Sequence, residues 1–171
     1  RVVEASYEQP YLAHATLEPM NATAWYRDGA IDVWAPTQAP DLGRIAAARV
    51  TDLSPDEVTI HTTFLGGGFG RRLTNDYIEE AASVAYRIRK PVKLIWSREE
   101  DTRHDVYRPA MLHRMRASVS GDRLTGWHHQ IVGPQILDWY LRNAAPAQYP
   151  WAPKFLYGTL GRVGLMAEGI A

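Results

Sequence analysis

The sequence predicts an α+β fold: a mixed sheet with antiparallel hairpins, covered by two main helices. Three observations predict it. Two pairs of strand-like segments read as hairpins, one joined by the two-residue turn Asp28-Gly29, a strong local signal, and the other around Gly121-Asp122. Two other stretches, 40–50 and 76–90, carry apolar residues three or four apart, as one face of a helix requires. The elements follow one another in mixed order, which argues against a doubly wound parallel sheet.

Segment 2–7 alternates, with Val3, Ala5 and Tyr7 against Glu4 and Ser6, and reads as a strand. Segment 10–21 holds two prolines and no clear period. Segments 22–27 and 30–35 form the first hairpin. Pro40 suits the first turn of a helix, with Thr37 or Gln38 near its cap. Leu42, Ile45, Ala46 and Arg49 carry that helix to about Val50. Ser54-Pro55-Asp56-Glu57 is a turn. Segment 58–64 places Val58, Ile60, Thr62 and Phe64 on one side of a strand and Thr59, His61 and Thr63 on the other.

A second helix starts at Asp76, which with Glu79 fits a capping box. Its apolar face is Ile78, Ala81, Ala82, Ala85 and Ile88. Arg87, Arg89 and Lys90 suit its negative end, and Pro91 stops it. Segment 91–96 is a short apolar strand, and 98–106 a charged helix or turn. Segments 114–120 and 124–132 form the second hairpin. Beyond Gly133 the pattern weakens, and 143–154, with three prolines, reads as loop. Residues 1–171 are expected to form a single domain. Because Arg1 falls inside the first strand pattern, the chain is expected to be an excerpt of a longer polypeptide.

Composition narrows the function. The formal net charge is zero, which argues against a nucleic-acid groove or a polybasic membrane surface. There is no cysteine, so this chain supplies no disulfide, iron–sulfur ligand or thiol nucleophile. No run approaches the roughly 18 apolar residues of a membrane span. Hydrophobic residues make up 46% of the chain, enough for a core.

The stretch with chemical content is Leu65-Gly66-Gly67-Gly68-Phe69-Gly70-Arg71-Arg72. Such a glycine run serves positive φ angles or backbone brought against a ligand, where successive N–H groups converge on an anion or oxo group. Arg71 and Arg72 would add fork-shaped donors for phosphate. A plain strand-to-helix turn is the alternative. The spacing fits neither the dinucleotide fingerprint Gly-x-Gly-x-x-Gly nor a P-loop, which ends in Gly-Lys-Ser/Thr. His128-His129 would point to opposite faces of a strand and so cannot share one metal ion. His104-Asp105 could be an acid–base pair, but reads more simply as solvated polar residues. No Gly-x-Ser-x-Gly elbow is present.

Four stretches together resemble one family. They are His14-Ala15-Thr16-Leu17-Glu18-Pro19-Met20-Asn21, Ala35-Pro36-Thr37-Gln38-Ala39-Pro40, the glycine loop, and Lys90-Pro91-Val92-Lys93-Leu94-Ile95-Trp96-Ser97-Arg98-Glu99-Glu100-Asp101 continuing to Pro109. Over about residues 1–133 the chain resembles the large, molybdenum-cofactor-binding subunit of the xanthine oxidase family of hydroxylases, and within it the isoquinoline 1-oxidoreductase β-subunit type. The resemblance implies one molybdopterin-binding lobe holding a molybdenum–molybdopterin cofactor, in the cytosine dinucleotide form. It implies cofactor contacts at Gln38, Gly67, Gly68, Phe69, Gly70 and Arg71.

The family's general base, a Glu, falls beyond this chain, so the chain alone is expected to be inactive. Where xanthine oxidases carry a substrate-binding Glu, this sequence has Leu73, which points to an N-heteroaromatic or aldehyde substrate instead of a purine. Expected partners are the remainder of the large subunit and an iron–sulfur small subunit. The competing reading is a catalytically inert scaffold or subunit-interface domain.

Overall fold

The computed structural model describes residues 1–134 together with Tyr140, Pro153, Phe155 and Leu156. The expected loop at 143–154 lies almost entirely outside the described residues. The α+β class holds, but the strands form two sheets instead of one. The first is antiparallel, with β1 (Val2–Gln9) beside β6 (Met111–Ser120) and β6 beside β7 (Arg123–Val132). The second is mixed, in the order β4 (Val58–Thr62), β3 (Ala30–Ala35), β2 (Asn21–Arg27) and β5 (Val92–Ile95). The division follows from register: β1 pairs along its whole length with β6, from Val2↔Ser118 to Gln9↔Met111, and leaves the other strands to pair among themselves.

Local chemistry accounts for most elements. The first hairpin turns through Asp28 and Gly29 at φ 53° and 84°, the left-handed pair that a two-residue turn needs. Helix α1 (Pro40–Thr51) begins with its proline in the first turn, and the hydroxyl of Thr37 accepts from the Ala39 N–H at 3.0 Å. It carries the chain from β3 to the parallel strand β4. Helix α2 (Asp76–Ile88) lays Tyr77, Ile78, Ala81, Ala82 and Ala85 on the mixed sheet. There they meet Met20, Ala22, Ala24, Ile31, Val33 and Ala35, and these residues form the core with Ala47, Ala48, Val58 and Trp96.

Three local expectations need correction. Asp76 does not cap α2. Asn75 holds that position without a side-chain capping bond, while Asp76 opens the helix and turns its carboxylate to Arg71. Glu79 pairs with Arg49 of α1 instead of closing a box. Ile88 is half exposed and lies off the buried face. The strand into the glycine loop ends at Thr62, so Phe64 leaves the sheet and is 99% exposed. No helix among the described residues is long and apolar enough to cross a membrane.

The antiparallel sheet positions the site through its continuation. Beyond Gln9↔Met111 the same register is taken up by an isolated bridge between Leu12 and Arg108. The two chains leaving that bridge bring His14 up to Asp105.

Candidate cofactor-binding site

The glycine loop is clamped from beneath by Arg72, whose side chain is fully buried. Its Nε donates to the Gly67 carbonyl at 2.8 Å and its Nη1 to Pro36 O at 3.2 Å. Its Nη2 donates to both the carbonyl and the carboxylate of Glu18, at 2.8 and 2.9 Å. Glu18 closes the clamp, because the same carboxylate oxygen accepts from the Gly66 N–H at 2.9 Å. One buried guanidinium thus fixes three separate segments, and its donors match fixed acceptors in a way a lysine could not.

At two glycines a side chain fits only if a neighbouring side chain moves. A Cβ on Gly66 would stand 2.3 Å from Glu18 Cβ, and one on Gly68 would stand 2.5 Å from Gln38 Oε1. Gly67 and Gly70 answer to backbone shape, with φ at 97° and 101°. Phe69 between them is also left-handed, at φ 51°. Its carbonyl accepts from Arg108 Nη2 at 3.2 Å, and its ring is 64% exposed.

Gln38 is locked against the loop. Its N–H donates to Arg72 O at 3.2 Å, and its side-chain Oε1 accepts from the Gly70 N–H at 3.1 Å. That bond orients the carboxamide and leaves Nε2 as a donor with no partner among the described residues. The backbone N–H groups of Gly67, Gly68 and Phe69 likewise have no partner among the described residues. Gly68 is buried, and a buried amide without an acceptor is uncommon in a folded protein. A run of free amides beside a free carboxamide donor is what an oxygen-rich cofactor would need.

Contrary to the expectation from sequence, the forks of Arg71 and Arg72 are not available for phosphate. Arg71 is 1% exposed and forms a two-pronged pair with Asp76, at 3.0 and 2.9 Å. Its Nε lies 3.3 Å from Asp105 Oδ1, and its guanidinium stands 5.4 Å from the Trp96 ring centre. Burial behind the loop consumes both charges, so Arg71 and Arg72 shape the loop instead of facing outward. His104-Asp105 divides. His104 is exposed near Glu100, as expected of a solvated residue. The Asp105 side chain is only 2% exposed and accepts from the backbone N–H and ring Nδ1 of His14.

Sequence reasoning missed Glu18, His14, Asp105 and Arg108 as residues that shape the site. All four lie in or beside the stretches that carried the resemblance. Elsewhere, His129 meets His113 of the neighbouring strand at 3.0 Å. Among the described residues no three His, Cys, Asp or Glu side chains converge as a metal site would require. Behind the site, the Tyr77 hydroxyl donates to Pro36 O at 3.1 Å, and burial pushes its pKa above the ordinary tyrosine value.

Residues 1–134 match the family model described as the molybdopterin cofactor-binding domain. The chain is 35% identical over 140 residues to the isoquinoline 1-oxidoreductase subunit beta of Brevundimonas diminuta, covering 80% of this chain and 18% of that protein. It is 34% identical over 131 residues to the membrane-bound aldehyde dehydrogenase [pyrroloquinoline-quinone] of Gluconacetobacter polyoxogenes, covering 75% of this chain and 17% of that protein. Its fold is similar to that of the aldehyde oxidoreductase from Desulfovibrio gigas, with a TM-score of 0.63 at 19% identity over 78% of this chain and 15% of that one. The chain therefore spans less than a fifth of the length of these relatives. With 134 residues matched in unbroken order, the chain belongs to the molybdopterin cofactor-binding domain family of the molybdenum hydroxylases.

Proposed function

We propose that this chain forms one wall of the molybdenum–molybdopterin site in an oxidoreductase that hydroxylates an N-heteroaromatic or aldehyde substrate. The observation that carries the reading is the run of unpartnered amides at Gly67, Gly68 and Phe69 beside the free Nε2 of Gln38. When bound, the cofactor would supply insertion of water-derived oxygen into a C–H bond. The chain's own residues bind and orient. Gln38 and the amides of 67–69 donate to cofactor oxygens without adding charge, and Gly70 holds Gln38 in place. Arg71 acts from behind the loop and not as a phosphate ligand.

Leu73, 47% exposed, and the exposed Phe69 ring favour an apolar aromatic or aldehyde substrate over a purine. The cytosine dinucleotide form of the cofactor is part of this reading. The general base is supplied from outside this chain, which alone is inactive. Electrons leave through an iron–sulfur small subunit, consistent with the lack of cysteine here. The remainder of the large subunit is the other partner. In its support, Val3, Tyr7, Trp127 and Ile131 share one face of the antiparallel sheet and are each 43% to 58% exposed.

Residues 1–171 are proposed to act as one lobe. An inert scaffold is the weaker reading, because a scaffold has no use for unpartnered amides. The test is to screen the full-length protein for oxidation of N-heteroaromatics and aldehydes under ¹⁸O-labelled water. Label in the product supports the proposal; product carrying oxygen from O₂ contradicts it.

A further inference from the structure

We propose that His14 is a further cofactor-binding residue, whose Nε2 accepts a hydrogen bond from an N–H group on the edge of the bound pterin. The inference rests on the reading above that the loop holds molybdopterin.

Four observations carry it. The His14 side chain is only 9% exposed, so its ring is placed by the fold. Asp105 grips it twice, through the backbone N–H and through ring Nδ1, the latter at 2.9 Å. A carboxylate oxygen accepts, so Nδ1 carries the proton and Nε2 is the ring's acceptor. That Nε2 has no partner among the described residues. Finally, a Cβ built on Gly70 would stand 3.8 Å from Nε2, and apart from the flanking residues nothing else among the described residues lies within 4 Å of it. The ring nitrogen therefore borders open space at the same glycine whose N–H holds Gln38. A buried imidazole with its tautomer set from behind and its acceptor left free is arranged for a ligand that donates. The unpartnered atoms of Gln38 and the loop, Nε2 and the backbone N–H groups, are donors and do not satisfy the N–H groups of a pterin. His14 supplies the acceptor they lack.

The test uses the full-length protein, with His14→Asn and His14→Gln. Asparagine places an amide nitrogen where Nδ1 was and keeps the bond to Asp105, but has nothing at Nε2. Glutamine reaches the Nε2 position with an acceptor. The readouts are molybdenum and pterin per chain, loss of pterin on prolonged dialysis, and the thermal midpoint of cofactor-free protein. We expect His14→Asn to keep its midpoint while its pterin retention falls about tenfold, and His14→Gln to retain more. Wild-type retention in both variants overturns the proposal. An equal loss in both does so too, because it assigns the effect to ring packing. A lowered midpoint in either makes His14 structural and also overturns it. Wild-type protein without pterin removes the reading beneath, an outcome distinct from a cofactor-loaded wild type with an indifferent His14.

Discussion

Gly68 is the residue at which packing and function coincide. A methyl group there would collide with the Gln38 carboxamide, the end of a side chain that can swing away. Gly68→Ala is therefore expected to keep the fold and displace Gln38, lowering molybdenum and pterin content about tenfold at an unchanged thermal midpoint. Elemental analysis beside calorimetry checks this, and a fully loaded variant would detach Gln38 from the site. Arg72 is the opposite case. Arg72→Met would strand the carbonyls of Gly67, Pro36 and Glu18 and the Glu18 carboxylate, costing about 3 kcal/mol. A lower thermal midpoint with or without cofactor is the expected result. Tyr77 gives a pH signature. Its folded pKa is raised, chiefly by burial, so above the ordinary value of 10.0 the unfolded chain loses this proton first. Stability then falls as pH rises beyond that point. Tyr77→Phe should make this alkaline loss shallower, as read from thermal midpoints across alkaline pH.

At the scale of elements, the helices depend on small residues. Ala81, Ala82 and Ala85 are fully buried where α2 meets the mixed sheet. Ala82→Leu should overpack that contact by about 1–3 kcal/mol, visible as a lower thermal midpoint. These helices, both hairpins and the glycine loop were legible in the sequence, because period, turn residues and glycine are local signals. Division into two sheets was not legible, since the pairing of β1 with β6 joins residues more than a hundred positions apart. A separation of 91 positions likewise hid the His14–Asp105 contact. The arginine pair misled for another reason. Two adjacent charges after a glycine loop read as ligand donors, and only the fold shows Asp76, Asp105 and Glu18 waiting behind the loop. The capping box failed likewise, because Asp76 was taken by Arg71.

At the scale of the whole molecule, the two sheets have different tasks. The mixed sheet and its helices form the core that carries Gln38 and the foot of the loop. The antiparallel sheet feeds the His14 and Asp105 segments in from the other side. Both converge on the glycine loop, which makes the loop the place to test the central claim. The most direct measurement is the molybdenum and pterin content of the purified full-length protein, with fluorescence identifying the organic cofactor. The account predicts about one molybdenum and one molybdopterin per chain. Correctly matured protein that holds neither, or that holds pyrroloquinoline quinone in their place, would contradict it.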